Sequence, residues 1–193
     1  MKLAFIEIEN LCFAYPSERE TRRMALDHVS LSVEEGEFVA VLGTNGSGKS
    51  TLVQHLNALY KVQAGKILFE GRDLPQSGKE VRALRQKVGL VFQNPEDQLF
   101  SSTVKEELAF APKNAGFSGQ ELEDAINYGL ECVSLSKDFL TRNPIALSGG
   151  ERRLVAIASV LAARPECVIL DEPLAGLDAS YQKKILSMLG RLR

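Results

Sequence analysis

Residues 43–51 read Gly-Thr-Asn-Gly-Ser-Gly-Lys-Ser-Thr, and this stretch decides the fold. Four of its residues satisfy the pattern G-x-x-x-x-G-K-[ST], namely Gly43, Gly48, Lys49 and Ser50. An apolar run at 38–42 precedes it, and a segment of helical character follows at 51–59. A strand, a glycine-rich loop and a helix in this order are the setting that a P-loop requires. The sequence therefore predicts a phosphate-binding loop between a buried strand and a helix.

The chemistry of this loop suits a nucleoside triphosphate. Its glycines let the backbone turn tightly and point N–H groups at phosphate oxygens. The helix N-terminus adds positive partial charge, the Lys49 ammonium can reach the β- and γ-phosphates, and the Ser50 hydroxyl can bind Mg²⁺. A glycine-rich turn without a ligand is the alternative, but the flanking strand and helix favour nucleotide binding.

Composition places the chain among cytosolic proteins. Its 193 residues are 45% hydrophobic, which is enough for one domain or a domain with an insertion. A net charge of −2 gives no argument for a nucleic-acid partner. Neither a signal peptide nor a run of about 20 apolar residues is visible, so any membrane association is expected to depend on a partner. The cysteines are too scattered for a disulfide framework: Cys12, Cys132 and Cys167.

The patterning predicts an antiparallel sheet, a parallel sheet and a helical insertion. Alternating residues at 6–9 and 29–33 indicate antiparallel strands, and a short apolar run at 11–15 indicates another between them. Further strands are predicted at 38–42, 66–69, 88–92 and 167–170. Helix starts are predicted by S/T-x-x-E patterns at Thr103 and Ser118, and Pro112 is expected to end or kink the first helix.

The domain organisation follows from this order of elements. We predict an α/β nucleotide-binding core formed by residues 1–93 and 164–193, with an antiparallel β subdomain at its N-terminal end. A helical subdomain is predicted to be inserted at residues 94–163. No internal repeat, low-complexity tract or flexible linker interrupts the chain.

A pair of carboxylates follows the apolar strand at 167–170. Asp171 can hold Mg²⁺ directly or through water, and Glu172 can face the γ-phosphate and polarise an attacking water. Adjacent carboxylates are common on protein surfaces. A buried strand downstream of a P-loop makes this pair a strong candidate for the Walker B motif.

Four further motifs identify a family. The sequence Leu-Ser-Gly-Gly-Glu at 147–151 resembles the LSGGQ signature of ATP-binding cassette (ABC) ATPases. Gln93 resembles the Q-loop glutamine, the segment 175–178 resembles the D-loop, and Tyr15 resembles the A-loop aromatic residue that stacks on adenine. Plainer explanations exist for three of them. Ser148-x-x-Glu151 is also a capping box, Tyr15 could be an ordinary strand residue, and Gln93 could be a solvated strand end.

The resemblance implies the fold of the P-loop NTPases, a head-to-tail dimer, ATP and Mg²⁺, and a set of site residues. The implied catalytic residues are Glu172, Gln93 and Lys49. The implied nucleotide-binding residues are Tyr15, Gly43, Asn45, Gly46, Ser47, Gly48, Lys49, Ser50, Thr51, Ser148, Gly149, Gly150 and Asp178. The implied metal-binding residues are Ser50, Gln93 and Asp171.

Three residues depart from the family pattern. Glu151 replaces the usual glutamine and adds a negative charge near a phosphate site. We expect that charge to point back to the helix cap or to an arginine such as Arg152. Leu154 stands where the family often has arginine, and Leu174 where many members have threonine.

Residues 91–112 are the most specific for a subfamily. They look like the energy-coupling factor (ECF) transporter ATPases, in which an Asn-Pro-Asp/Glu-x-Gln run follows the Q-loop glutamine. The resemblance implies a peripheral protein on the cytoplasmic face of the membrane, partnered by a second ABC ATPase subunit. A transmembrane T-component, docked in a groove at residues 94–110, and a substrate-binding membrane subunit are the other implied partners. The alternatives are the ATPase of another ABC importer, a soluble non-transport ABC protein, and a nucleotide-binding module without hydrolysis.

The end of the chain gives a further expectation. Residues 179–193 are predicted to form a helix with Ile185, Leu186, Leu189 and Leu192 on its apolar side. The family resemblance implies another strand and a switch histidine after this helix, and His28 and His55 suit structural or exposed roles instead. We therefore expect a truncated form of a longer ATPase, which binds nucleotide poorly or aggregates and shows little turnover in isolation.

Overall fold

The computed structural model describes residues 4–16 and 24–192. They divide into two compact units, one within residues 1–85 and the other within residues 86–192. The first unit contains four strands and the P-loop helix: β1 Ile6–Ala14, β2 Met24–Val33, α1 Lys49–Leu56, β3 Ala64–Phe69 and β4 Arg72–Asp73. The strands form one antiparallel sheet in the order β2-β1-β3-β4. A helix that the sequence patterns did not predict, α2, follows at Gly78–Lys87.

Strand β1 joins two segments that the sequence patterns predicted as separate strands. The predicted break falls at Asn10, which has a φ of 47° and lies in a register shift between Ile8 and Leu11. Asparagine tolerates the left-handed region, so a bulge takes up the extra residue while the strand continues. Strand β1 then pairs with β2 on one side and with β3 on the other.

The apolar run at 38–42 differs from the prediction of a buried strand. It has no strand assignment, and Phe38 and Leu42 are 58% and 90% exposed. An apolar run becomes a buried strand only where neighbouring strands bond its edges and helices cover its faces. The antiparallel sheet of the first unit does not include this run, so the prediction of a strand here is wrong.

The second unit is built around two parallel strands and four helices. The strands are β5 Val88–Val91 and β6 Cys167–Leu170, which pair in register from Val88 with Cys167 to Val91 with Leu170. The helices are α3 Val104–Asn114, α4 Gly119–Cys132, α5 Gly149–Ala162 and α6 Ala179–Leu192. Three 3₁₀ helices lie at Pro95–Gln98, Lys137–Phe139 and Pro144–Ala146.

Helix α5 is the centre of the second unit's core. Its residues Leu154, Ile157 and Leu161 are almost fully buried and pack in one cluster with α3, α4 and β5. Leu154 has no exposure to solvent, and an apolar side chain suits such a position.

The helix boundaries largely follow the predicted signals. Both halves of the capping box form at Thr103 and Glu106. Ser118 precedes α4 as predicted, but its side chain makes no cap hydrogen bond. Pro112 lies inside α3, which ends two residues later at Asn114.

Helix α6 departs from its predicted apolar side. Ile185 and Met188 are buried, whereas Leu186 is 55% exposed. The predicted end of this helix at Arg193 lies outside the described residues.

The compact units divide after residue 85, and the predicted split into residues 1–93 with 164–193 and residues 94–163 stays a prediction. Within the described residues, no helix combines the length and apolar character needed to cross a bilayer.

Candidate functional site

The P-loop depends on glycine for its backbone conformation. Gly46 and Gly48 have φ angles of 77° and 95°, in the left-handed region that other residues rarely adopt. A Cβ on Gly48 would also lie 2.4 Å from the carbonyl oxygen of Ala25 in β2. The conformation and the close approach of the sheet therefore both require glycine at position 48.

Lys49 is held inside the loop. Its Nζ donates hydrogen bonds to the carbonyl oxygens of Gly43 and Thr44, at 3.0 and 3.1 Å. An ammonium group has three donors, so one is left for a further acceptor. The loop thus presents a positive charge together with the N-terminus of α1, an arrangement suited to phosphate.

Tyr15 is anchored to the same helix by its hydroxyl. Its Oη lies 2.8 Å from Oγ1 of Thr51, and its ring makes an edge contact with Phe13 at 5.1 Å between centroids. The residue is 43% exposed, so it has surface available to a planar ligand. Thr51, predicted to bind nucleotide, uses its hydroxyl to position Tyr15 in this structure.

His55 is a buried residue of the same helix, α1. His55 has no solvent exposure, and its Nδ1 lies 2.7 Å from the carbonyl oxygen of Thr51. Burial lowers the pKa of His55 below its ordinary value of 6.5, although hydrogen bonds to backbone carbonyls oppose the shift. The side chain is therefore neutral at pH 7, and the prediction of a structural role is in line with its position.

In the second unit, the parallel strands bring two predicted catalytic residues together. Gln93 follows β5 and Glu172 follows β6, and the Nε2 of Gln93 donates to Oε2 of Glu172 at 2.9 Å. Glu172 has a φ of 49°, a strained angle for glutamate of the kind found at functional sites. Asp171 is 7% exposed at the end of β6. The carboxyl ends of the two strands thus hold an amide and two carboxylates.

Arg153, which the sequence analysis did not single out, connects these elements. Its guanidinium makes two hydrogen bonds to the Glu96 carboxylate, at 2.9 and 3.1 Å. It also donates to the carbonyl oxygen of Gln93 at 3.3 Å and to that of Ala175. One buried side chain on α5 therefore ties the Q-loop to the D-loop. The only signal in the sequence was a second arginine on the inner face of an apolar helix.

The electrostatics of this pair follow from its burial. The Arg153 and Glu96 side chains are 5% and 20% exposed. Partial burial on its own raises the pKa of Glu96, but the hydrogen bonds and charge of Arg153 outweigh it, so the pKa lies below its ordinary value of 4.5. Glu96 is therefore ionised at neutral pH and paired with a permanent cation.

The signature segment at residues 147–151 contains the capping box of α5. The Ser148 N–H donates to Oε2 of Glu151 at 2.9 Å, and the Glu151 N–H donates to Oγ of Ser148 at 3.3 Å. These bonds from the Ser148 backbone and side chain hold the pKa of Glu151 below its ordinary value. The predicted return to the cap is confirmed, but the arginine near the carboxylate is Arg142 at 4.0 Å, while Arg152 donates to the Leu147 carbonyl.

Helix α6 lies against the signature segment. A Cβ on Gly150 would lie 2.5 Å from the Tyr181 ring, so only glycine fits there. Tyr181 Oη also lies 3.5 Å from Oγ of Ser148. Asp178 accepts hydrogen bonds from the N–H groups of Ser180 and Tyr181, at 2.9 and 3.1 Å. The predicted D-loop aspartate therefore caps α6 and fixes the ring that covers the signature.

The predicted site residues form one set in each unit. The first unit holds Tyr15, Gly43, Asn45, Gly46, Ser47, Gly48, Lys49, Ser50 and Thr51. The second holds Gln93, Ser148, Gly149, Gly150, Asp171, Glu172 and Asp178. The predicted metal ligands, a serine hydroxyl, a glutamine amide and an aspartate, offer the oxygen atoms that Mg²⁺ prefers, so the donor set fits that ion.

Known proteins are similar to this chain in sequence. A family model described as ABC transporter matches residues 26–175. The energy-coupling factor transporter ATP-binding protein EcfA2 of Caldanaerobacter subterraneus subsp. tengcongensis is 43% identical over 184 residues, which are 95% of this chain and 64% of that protein. The chain thus spans a little under two thirds of this relative's length.

Solved structures agree with the family model. CbiO1 from Clostridium perfringens, described as part of the ABC transporter complex cbiONQ, is 33% identical to this chain, with a TM-score of 0.86. The match covers 98% of this chain and 73% of the CbiO1 chain. A dimeric ATP-binding cassette in a post-hydrolysis state with ADP and Pi is 30% identical with the same TM-score of 0.86, over 97% of this chain and 82% of its own. The motif order, the fold and these comparisons together show that the chain belongs to the ABC transporter family and has the fold of its ATPases.

Proposed function

We propose that this chain is the ATP-binding and ATP-hydrolysing motor subunit of an ECF-type membrane importer. Support comes from the EcfA2 relative, from the cbiO1 structure and from the Asn-Pro-Glu-Asp-Gln run that follows Gln93. In this proposal the chain is peripheral to the membrane on its cytoplasmic face. It assembles with a second ABC ATPase subunit, a transmembrane T-component and a substrate-binding membrane subunit.

ATP is the proposed substrate of the P-loop. The N–H groups of residues 43–50, the ammonium group of Lys49 and the N-terminus of α1 bind its phosphates. Tyr15 stacks on adenine, and its bond to Thr51 fixes the ring relative to the phosphate loop. The preformed loop angles at Gly46 and Gly48 support this assignment, because they need no change on binding.

Hydrolysis is assigned to the carboxyl ends of the parallel strands. Ser50, Gln93 and Asp171 would hold Mg²⁺, which neutralises charge on the phosphates when bound. Glu172 acts as the general base and accepts a proton from the attacking water. The observation that carries this assignment is the 2.9 Å hydrogen bond between Gln93 and Glu172, which holds the carboxylate in one orientation.

The signature segment acts on the nucleotide of the partner subunit. Ser148 is the N-cap of α5, and Gly149 and Gly150 are its first two residues. The N-terminus of this helix carries positive partial charge, and the N–H groups of its first turn have no partner within the helix. The Glu151 carboxylate is occupied in the capping box, which limits its repulsion of phosphate. Asp178 acts indirectly, because it caps α6 and thereby fixes the Tyr181 ring next to the signature segment.

An exposed aromatic pair provides the proposed contact with the T-component. Phe100 and Phe110 are 65% and 51% exposed, and their rings contact edge to face with centroids 4.9 Å apart. The buried Glu107 carboxylate accepts hydrogen bonds from the N–H groups of Phe100 and Ser101, which fixes the loop that carries the first ring. Two large apolar side chains held at a surface suit a helix of a membrane partner.

The test of hydrolysis compares Glu172→Gln with Glu166→Gln at saturating ATP. Glutamine keeps the shape of the side chain but removes the base, so the rate should fall by about 10²-fold or more. Glu166 is an exposed partner of Lys87, and its substitution should leave the rate unchanged. Turnover by Glu172→Gln equal to that of the unsubstituted chain would contradict the assignment of the base.

The docking surface is tested by co-purification with the membrane subunits. Phe100→Ala and Phe110→Ala should each reduce recovery of the T-component while ATP affinity stays unchanged. Ile145→Ala is the matched control, because this apolar side chain is also highly exposed, at 73%. Equal recovery with all three variants would place the membrane contact elsewhere on the chain.

A further inference from the structure

A cysteine, an aspartate and a histidine meet on the antiparallel pair of β1 and β2, and none of the three is assigned to nucleotide. The ligand atoms of Cys12, Asp27 and His28 all lie within 4.8 Å of one another. We propose that these three side chains form a binding site for Zn²⁺, with water as the fourth ligand. The proposal concerns a different part of the chain from the ATPase assignment and does not depend on it.

A β-bulge brings the three side chains together. Leu11 pairs with Val29, and Phe13 pairs with Leu26, so one residue of β1 lies opposite two residues of β2. The single residue is Cys12, and the two opposite it are Asp27 and His28. In a regular strand two adjacent side chains point to opposite faces, whereas a bulge can re-aim one of them.

The bulge holds His28 in an unusual backbone conformation. Its φ is 49°, in the left-handed region that glycine adopts readily and other residues adopt at a cost of about 1 kcal/mol or more. The His28 N–H donates to the Cys12 sulfur at 3.2 Å, so the conformation directs the backbone of one residue at the side chain of the other.

The remaining contacts define how the ligands are held. The Nδ1 of His28 lies 2.7 Å from Oδ1 of Asp27, and a cation bound between these atoms would replace that hydrogen bond. The Asp27 and His28 side chains are 72% and 75% exposed, so an ion can reach them and water can complete the coordination.

The donor set selects the class of metal. A thiolate, an imidazole and a carboxylate suit Zn²⁺, which forms tetrahedral sites with three protein ligands and one water. Mg²⁺ prefers oxygen ligands alone, so the ion of the nucleotide site does not compete effectively here. Binding requires the thiolate form of Cys12 and releases its proton.

The direct test is calorimetric titration of the metal-stripped chain with ZnCl₂ in the absence of nucleotide. We expect one equivalent of Zn²⁺ to bind, and Cys12→Ser to weaken binding at least about 10-fold. Co²⁺ as a spectroscopic probe should give a thiolate-to-cobalt charge-transfer band that Cys12→Ser abolishes. Asp171→Asn and Cys132→Ser are controls that should keep both the affinity and the band.

His28→Gly separates metal binding from folding. Glycine relieves the left-handed backbone but makes the unfolded chain more flexible, so without metal this variant should melt close to the temperature of the unsubstituted chain. It should also lose the rise in melting temperature that Zn²⁺ produces in the unsubstituted chain. The proposal is overturned if the chain binds no Zn²⁺, or if Cys12→Ser and His28→Gly bind it as tightly as the unsubstituted protein.

Discussion

The P-loop at residues 43–50 and the signature region at residues 147–153 both serve phosphate in the proposed function, but they keep their shapes by different means. The P-loop depends on backbone angles, since Gly46 and Gly48 have positive φ and most of its side chains are exposed. The signature region depends on side chains, with Arg153 bonded to Glu96 and to two loop carbonyls. A motif made of backbone can be recognised from spacing alone, whereas a network of side chains is visible only after folding.

The largest effect on stability is expected when the hydrogen-bond network around Arg153 is broken. Arg153→Met should lower the free energy of unfolding by about 3–5 kcal/mol, because it leaves the Glu96 carboxylate partly buried without its cation. Urea denaturation measures the loss directly.

Arg152→Ala is the matched control for this change. Arg152 is the adjacent residue on α5 and makes one hydrogen bond of 3.4 Å to the Leu147 carbonyl. Its replacement should cost no more than about 1 kcal/mol. Equal losses for the two variants would show that the network around Arg153 does not hold this region together.

In the P-loop, the corresponding change affects ligand binding and not folding. Lys49→Ala should weaken ATP binding by about 3 kcal/mol, roughly 150-fold in Kd, because a charged donor to phosphate is lost. The stability of the Lys49→Ala variant should change little, since the shape of the loop comes from its glycines. Lys61→Ala, an exposed lysine of the same unit, should bind ATP normally in the same calorimetric titration. Unchanged affinity in Lys49→Ala would contradict the role of the loop.

Neighbouring glycines in the signature allow a finer comparison. Gly150→Ala should cost about 1–3 kcal/mol of stability, because the added Cβ would overlap the Tyr181 ring. Gly149 has no atom within 4 Å of the corresponding Cβ position, so Gly149→Ala should be neutral or stabilising by about 0.4–1 kcal/mol. Thermal melting of the two variants tests the contact, and similar melting temperatures would argue against it.

The smallest expected effect is a dependence of the free energy of unfolding on pH in the acidic range. The pKa of Glu96 in the folded chain is below its ordinary value of 4.5, so its contribution is complete above about pH 4.5 and is lost as the pH falls through the lower folded value. Glu96→Gln should therefore flatten the decline of unfolding free energy between about pH 5 and pH 3. Glu123→Gln, which removes an exposed partner of Lys105, should keep the decline of the unsubstituted chain.

Local signals predicted much of this molecule. The helix after the P-loop, the capping boxes at Thr103 and Ser148, and the strands predicted at 66–69, 88–92 and 167–170 are all present, because each depends on a few adjacent residues. The return of Glu151 to its helix cap was also predicted, since both partners lie within one turn.

Features that depend on distant neighbours were missed. The apolar run at 38–42 met the pattern of a buried strand, but pattern alone does not supply the neighbouring strands. The joined strand β1 needed two partner strands to carry it across Asn10. Arg153 contacts residues 22 to 60 positions away, so no local pattern indicated its partners. Tertiary contacts decided each of these cases.

The central claim is that the P-loop of one chain and the signature of another enclose ATP between them. It is tested most directly by sedimentation of Glu172→Gln with saturating ATP and Mg²⁺, where blocked hydrolysis should allow a dimer to accumulate. Ser148→Arg added to this variant should leave it monomeric although ATP remains bound. A Glu172→Gln chain that binds ATP and stays monomeric, or a dimer that Ser148→Arg does not disturb, would contradict the account.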